Sequence, residues 1–202
     1  MCEEKTGAVS VGQVTYQIIK NIENLYRSQK AAALANLRSS IGKSLTEADS
    51  VWPLLFENLP PEFLSGSGAE TYEEKAVLTT LQLYAMCMQG SSVSVESDSS
   101  YKGTIGRSLG SGRDPENSEA LDRRFNALIT ADTFAELTYH LRQMIKIVRS
   151  KGNAVINFPK LADDLFWFQK GSQRKICIRW AQEYYSQPQK SLSLTSGEEK
   201  LL

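Results

Sequence analysis

SEALDRRFNALITAD (118–132), FAELTYHLRQMIKIVRSKG (134–152), FPKLADDLFWFQ (158–169) and QRKICIRWAQEYY (173–185) decide the fold. In the second stretch Phe134, Leu137, Leu141, Met144, Ile145 and Val148 recur at spacings of three and four, which lays one apolar stripe along a helix. Thr133 with Glu136 forms a capping box at its start, and Gly152 is the expected stop. Working outward, Asn157 to Gln169 and Ser172 to Tyr185 predict the last two helices, and Asp114-Pro115 predicts the start of the helix before Thr133. GTIGRSLGSG (103–112) predicts a short helix between glycines.

The N-terminal half has the same character. Val11, Val14, Ile18, Ile22 and Leu25 mark one face of a helix, and the alanine-rich stretch from Gln29 to Ile41 predicts a second, with Gly42 as its stop. Thr46 to Glu57 predicts a third. Thr71 with Glu74 makes a capping box that opens a fourth, running toward Gly90. SSVSVESDSSYKG (91–103) is polar and serine-rich, without helical period. The expectation is an all-α fold: a compact bundle of about eight or nine helices without a sheet. Its domain spans 11–186, as two packed lobes of about 11–90 and 103–186 around the loop 91–102, with a loose tail at 187–202.

Composition narrows the function. With 41% apolar and 23% charged residues the 202-residue chain reads as an ordinary globular domain. No apolar run reaches the ~18 residues of a membrane span, and MCEEKTGAVS lacks a signal-peptide core, so a cytoplasmic location is expected. Cys2, Cys87 and Cys177 fit neither a disulfide framework nor zinc spacing. Catalytic chemistry is poorly supplied. His140 is the single histidine, placed in mid-helix, where a structural role is expected. Asp163 and Asp164 are helix neighbours pointing about 100° apart, read as first-turn charge and not as a metal pair. GTIGRSLGSG lacks the Gly-Lys-Ser/Thr ending of a phosphate loop. No catalytic residue, metal or cofactor is expected.

Charge is distributed unevenly. The 23 basic and 23 acidic residues cancel overall, but residues 1–100 carry a net −5 and residues 101–190 a net +6. Arg142, Lys146 and Arg149 fall at i, i+4, i+7 on a face of their helix away from the apolar stripe, a spacing that suits a phosphate backbone. Arg107, Arg113, Arg123, Arg124, Arg174, Lys175 and Arg179 add to them, and arginine favours planar bidentate contacts with phosphate. Arg38 and Lys43 are weaker candidates from the acidic half. Of the aromatics, Phe166, Trp180 and Tyr184 lie at core spacing. The chain therefore reads as a polyanion binder, or as a helical adaptor whose basic face docks acidic partner surfaces.

ALANLRSSIGKSL (33–45), LQLYAMCMQG (81–90), GTIGRSLG (103–110), LDRRFNALITAD (121–132), LTYHLRQMIKIVRSKG (137–152), LADDLFWF (161–168) and IRWAQEYY (178–185) follow one another in a recognisable order. That order, covering about residues 11–186, resembles the CasB-type small subunit of Cascade, the type I-E CRISPR surveillance complex. The resemblance implies an all-helical, non-catalytic subunit, present in two copies on the inner face of the complex. Its implied partners are crRNA, target DNA, a second copy of itself, and the backbone, large and PAM-reading subunits, and its implied role is to stabilise the R-loop. It carries Arg38, Arg107, Arg123, Arg124, Arg142 and Arg149 over as nucleic-acid contacts, while Arg179 fits a structural role equally well. Ser39-Ser40 stand where the family often has further basic residues.

Overall fold

The computed structural model describes residues 9–89, 103–114, 117–150 and 155–186, and among these it contains nine α-helices and no strand. Ser10 opens α1 (Val11–Asn24) with a capping box, its hydroxyl accepting from the Gln13 N–H at 3.1 Å. Of the predicted stripe, Val11, Val14, Ile18 and Ile22 are buried, and Thr15 and Ile19 widen it, because α1 packs against both the Tyr72–Cys87 and the Phe158–Trp167 helices; Leu25 is instead the exposed C-cap residue just past the helix. α2 (Arg27–Ser39) follows and ends before Gly42, whose φ of +84° a side chain would disfavour. The Thr71–Glu74 capping box opens α4 (Tyr72–Cys87), the central helix. Twelve of its sixteen residues are buried, so it is apolar almost all round, as a helix enclosed by others must be. α1, α2, α7 (Phe134–Ser150) and α8 (Phe158–Trp167) surround it.

The remaining helices close the other side. α5 (Ile105–Gly110) crosses α9 (Gln173–Tyr185) so tightly that a Cβ on Gly106 would strike the backbone of Trp180. Gly106, which gave the 103–112 stretch its phosphate-loop look, is therefore a packing glycine. α6 (Glu119–Ile129) packs on α7 and α9, with Phe125 stacked on Tyr184 at 3.6 Å between ring centroids. A π-helical turn, Phe168–Ser172, joins α8 to α9 through Gly171 at φ +89°.

Several sequence expectations require correction. The helix expected over Thr46 to Glu57 is two 3₁₀ turns, Leu45–Glu47 and Asp49–Val51, followed by the five-residue α3 (Trp52–Phe56). Pro53 has no N–H to donate to the Asp49 carbonyl, and the Trp52 indole donates at 2.8 Å to the Leu45 carbonyl that a continuous helix would use. The helix expected at Asp114 begins at Glu119, with Ser118 as its N-cap. Asp163 and Asp164 lie past the first turn of α8, which Asn157 caps by accepting from the Lys160 N–H at 2.9 Å. Phe166 is half-buried, packed against the core from outside; Phe168, two residues on, is buried in the same core cluster as Trp180 and Tyr184. The serine-rich loop 91–102, Pro115, the stops at Gly90 and Gly152, and the tail 187–202 lie outside the described residues.

Candidate nucleic-acid interface

The two adjacent aspartates of α8 are fully engaged in packing. Asp163 Oδ1 accepts the Gly12 N–H at 2.7 Å, satisfying an amide of the first turn of α1 that has no partner within its own helix. Asp164 is buried and accepts from the Arg179 guanidinium and, at 2.7 Å, from the Trp180 indole. Burial raises both carboxyls above the ordinary range, more than their donors pull them down. Among the described residues no group of three or more His, Cys, Asp or Glu side chains is placed to hold a metal ion. The Cys87 thiol is pushed up to about 12 by burial, against the counter-pull of Arg149, which keeps it protonated and a poor nucleophile.

The C-terminal end of α4 organises the cations. Its last carbonyls lack intrahelical donors, and the helix dipole makes that end negative. Arg38, in the last turn of α2, donates to the Ala85 carbonyl at 3.4 Å, and Arg149, in the last turn of α7, donates to the Met86 carbonyl at 2.9 Å. Two arginines more than a hundred residues apart in sequence are thereby fixed side by side. Two turns back along α7, Arg142 points at Gly42, where a Cβ would lie 3.4 Å from its Nη1. It lines a cavity of about 240 Å³ with Lys43, Glu70, Lys75, Gln82 and Thr138. Lys75 reaches Glu70 at 3.8 Å, and burial raises the Glu70 carboxyl. Arg142 and the exposed Lys146 have no ion pair among the described residues.

The other predicted cations are dispersed. Arg123 and Arg124 are exposed on α6 and line a separate groove against Tyr139, His140 and Gln143 of α7. Arg174 and Lys175 are exposed in the first turn of α9, and Lys175 shares a groove with Lys160, Trp167 and the anchored Arg179. Arg107 stands 3.6 Å from Glu183 and is half exposed. Arg113 is taken out of the candidate surface: it grips Asp122 through two bonds of 3.0 and 3.1 Å. The structure thus brings Arg38, Arg142, Lys146 and Arg149 onto one face and leaves the rest on three others. Lys75 completes that face and had no signal in the sequence, where it follows Glu73-Glu74 in the acidic half.

The profile of the CRISPR-associated protein Cse2 family matches residues 33–185. The chain belongs to the Cse2 family. This is the CasB-type Cascade-subunit family that the motif order implied, and it places the chain in CRISPR defence. Among solved structures, CasB from Thermobifida fusca superposes with a TM-score of 0.68 at 22% identity, covering 87% of this chain and 98% of that one. CasB from M. ruber gives 0.64, also at 22% identity, over 88% and 93%. At that identity the two structures speak for the fold. No curated protein matches the chain by sequence. Among the described residues, no helix of this Cse2-family chain is long and apolar enough to cross a membrane.

Proposed function

We propose that this chain is the non-catalytic small subunit of a type I-E Cascade complex, and that its α2–α4–α7 face holds the nucleic-acid backbone of the R-loop. The observation that carries the reading is the pair Arg142 and Lys146, unpaired cations beside Arg38, Lys43, Lys75 and Arg149. R-loop formation exchanges one duplex for another at nearly balanced free energy, so modest protein contacts can tip it. Each cation that neutralises a phosphate releases counterions without regard to sequence, which suits a subunit that must accept any target. The overall charge of zero keeps the free chain from coating nucleic acid, and tethering within the assembly supplies the effective concentration it lacks alone.

The test is target binding by the reconstituted complex across a salt series. Arg142→Glu with Lys146→Glu should weaken R-loop binding and lower the salt slope by about one unit per lost duplex contact. Neither residue has an ion pair among the described residues, so the thermal stability of the free subunit should change little. Arg149→Ala, by contrast, should cost about 1–3 kcal/mol of stability, because it removes the charged donor, and the shorter bond, from the Met86 carbonyl in the last turn of α4. Unchanged affinity and slope in the double charge reversal would refute the interface. Loss of complex assembly with unchanged nucleic-acid affinity would favour the adaptor reading, in which this face docks acidic protein.

A further inference from the structure

The groove between α6 and α7 has a different chemistry from the face just described. It measures about 380 Å³, and the short side chains of Ala120 and Ala127 are part of its lining. Arg123 and Arg124 line it from α6, while Tyr139, His140 and Gln143 line it from α7. Among the described residues no carboxylate lines it. The α2–α4–α7 cavity contains Glu70, and the groove along α8 and α9 contains Asp163 and Asp164. Of the acids on these two helices, Asp122 accepts from Arg113, the Glu136 carboxylate accepts from the Asp132 and Thr133 N–H groups, and Glu119, exposed one turn before Arg123, makes no ion pair among the described residues. Neither arginine has an ion pair among the described residues.

The second observation is Tyr139. Its side chain is 51% exposed, although it sits in mid-helix where a polar residue would cost nothing. Its ring meets His140 edge to face at 5.2 Å and 77°, which limits its freedom before any ligand arrives. Gln143 follows four residues later on the same row of the helix, offering both amide donors and a carbonyl acceptor. A cavity of this size lies near the lower end of small-ligand sites, enough for one nucleotide and too small for a duplex.

We infer that the α6–α7 groove is a single-nucleotide site for unpaired nucleic acid, with one base stacked on Tyr139 and its flanking phosphates held by Arg123 and Arg124. The inference rests on the reading that this chain meets nucleic acid, but it assigns a second surface and a different mode of contact. Bases within a duplex stack on one another and hide their faces, so an aromatic platform selects unpaired strands. Stacking is tolerant of sequence, because every base has a π-face, and Gln143 adds a hydrogen bond to the base edge without fixing which base. The ligand chemistry is shared by single-stranded DNA and RNA.

The experiment measures binding of the full chain at low salt to single-stranded DNA and RNA of about 12 nucleotides, to the same strands with abasic spacers, and to a duplex. The parent chain should prefer base-containing strands over abasic ones by at least about fivefold. Tyr139→Ala should erase that preference and leave duplex binding unchanged, while Tyr139→Phe should keep it. Arg123→Gln with Arg124→Gln should weaken base-containing and abasic strands alike. A DNA arm and an RNA arm that respond equally support recognition of the unpaired nucleotide itself, and a response in one alone assigns the site to that strand type. Equal affinity for base-containing and abasic strands, or a preference that survives Tyr139→Ala, overturns the site while leaving the Arg142–Lys146 face standing. Absence of binding to every strand and to the duplex, even with the reconstituted complex, overturns both.

Discussion

Asp122 gathers donors from three parts of the chain: the Arg113 guanidinium, the Ser118 hydroxyl at 3.0 Å and the Tyr184 hydroxyl at 2.7 Å. Arg113 also lies over the rings of Tyr184 and Tyr185 at 5.3 and 5.2 Å, so one carboxylate fixes the α6–α9 contact and an arginine–aromatic stack together. Burial alone would raise the Asp122 carboxyl, but the bonds from Arg113, Tyr184 and Ser118 outweigh it and leave it below the ordinary range. Between that lowered value and the unfolded value of about 3.9, the folded chain binds fewer protons than the unfolded one. Stability therefore rises with pH across this window. Asp122→Asn should cost about 1–2 kcal/mol at neutral pH by stranding Arg113, measured by urea denaturation. The difference from the parent should be full above about pH 5 and close as pH falls below about 4. The raised carboxyls of Glu70, Asp163 and Asp164 act in the opposite sense, but they are common to both proteins and cancel in the difference. A gap that stays constant down to about pH 3 would remove the Asp122 carboxylate from the account.

At the scale of elements, the crossing of α5 and α9 depends on the missing Cβ of Gly106. The atom it would strike is backbone, which cannot rotate aside as a side chain would, so Gly106→Ala must separate two helices. Overpacking of this kind costs roughly 1–3 kcal/mol. The loss should appear as a lower thermal midpoint and a changed fluorescence of Trp180, which is buried at that crossing. An unchanged midpoint would mean that α5 docks more loosely than this geometry. What was legible in the sequence at this scale was whatever a helix decides within about four residues. The capping boxes of Thr71–Glu74 and Thr133–Glu136 and the stripe of α7 all stand where the pattern put them. What failed was decided by competition or distance. The Ser44–Glu47 box closes on a single 3₁₀ turn, and the Trp52 indole claims a carbonyl that apolar spacing cannot reveal. Asp163 and Asp164 have no local signature of their roles, because Gly12 lies 151 residues from Asp163 and Arg179 lies 15 residues from Asp164.

For the molecule as a whole, charge counting put Arg142, Lys146 and Arg149 on one face of α7 and weighted the positive charge to the C-terminal half. That face is not the property of the C-terminal half: α4 brings Arg38, Lys43 and Lys75 of the acidic half alongside α7. Arg113 and Arg179 counted as cations in the sequence, yet their charge is spent on Asp122 and Asp164 inside the fold. The same interleaving bears on the expectation of two packed lobes, 11–90 and 103–186. α1 makes its most extensive packing with α8, across the serine-rich segment, and α4 packs on both α7 and α8. The buried side chains of both segments belong to one continuous cluster. Asp163 closes the first turn of α1 from the other lobe, and the Phe158 ring meets Tyr84 of α4 edge to face at 5.4 Å. A fragment of residues 1–90 would therefore expose the inner faces of α1 and α4 with nothing to cover them. It should lack cooperative unfolding by circular dichroism and associate in size-exclusion chromatography, whereas mixing it with a fragment of residues 103–202 should restore a helical, cooperative species. A sharp unfolding transition in the 1–90 fragment alone would establish two independently stable lobes, and the α1–α8 contact would then be a docking surface between domains and not the centre of a core.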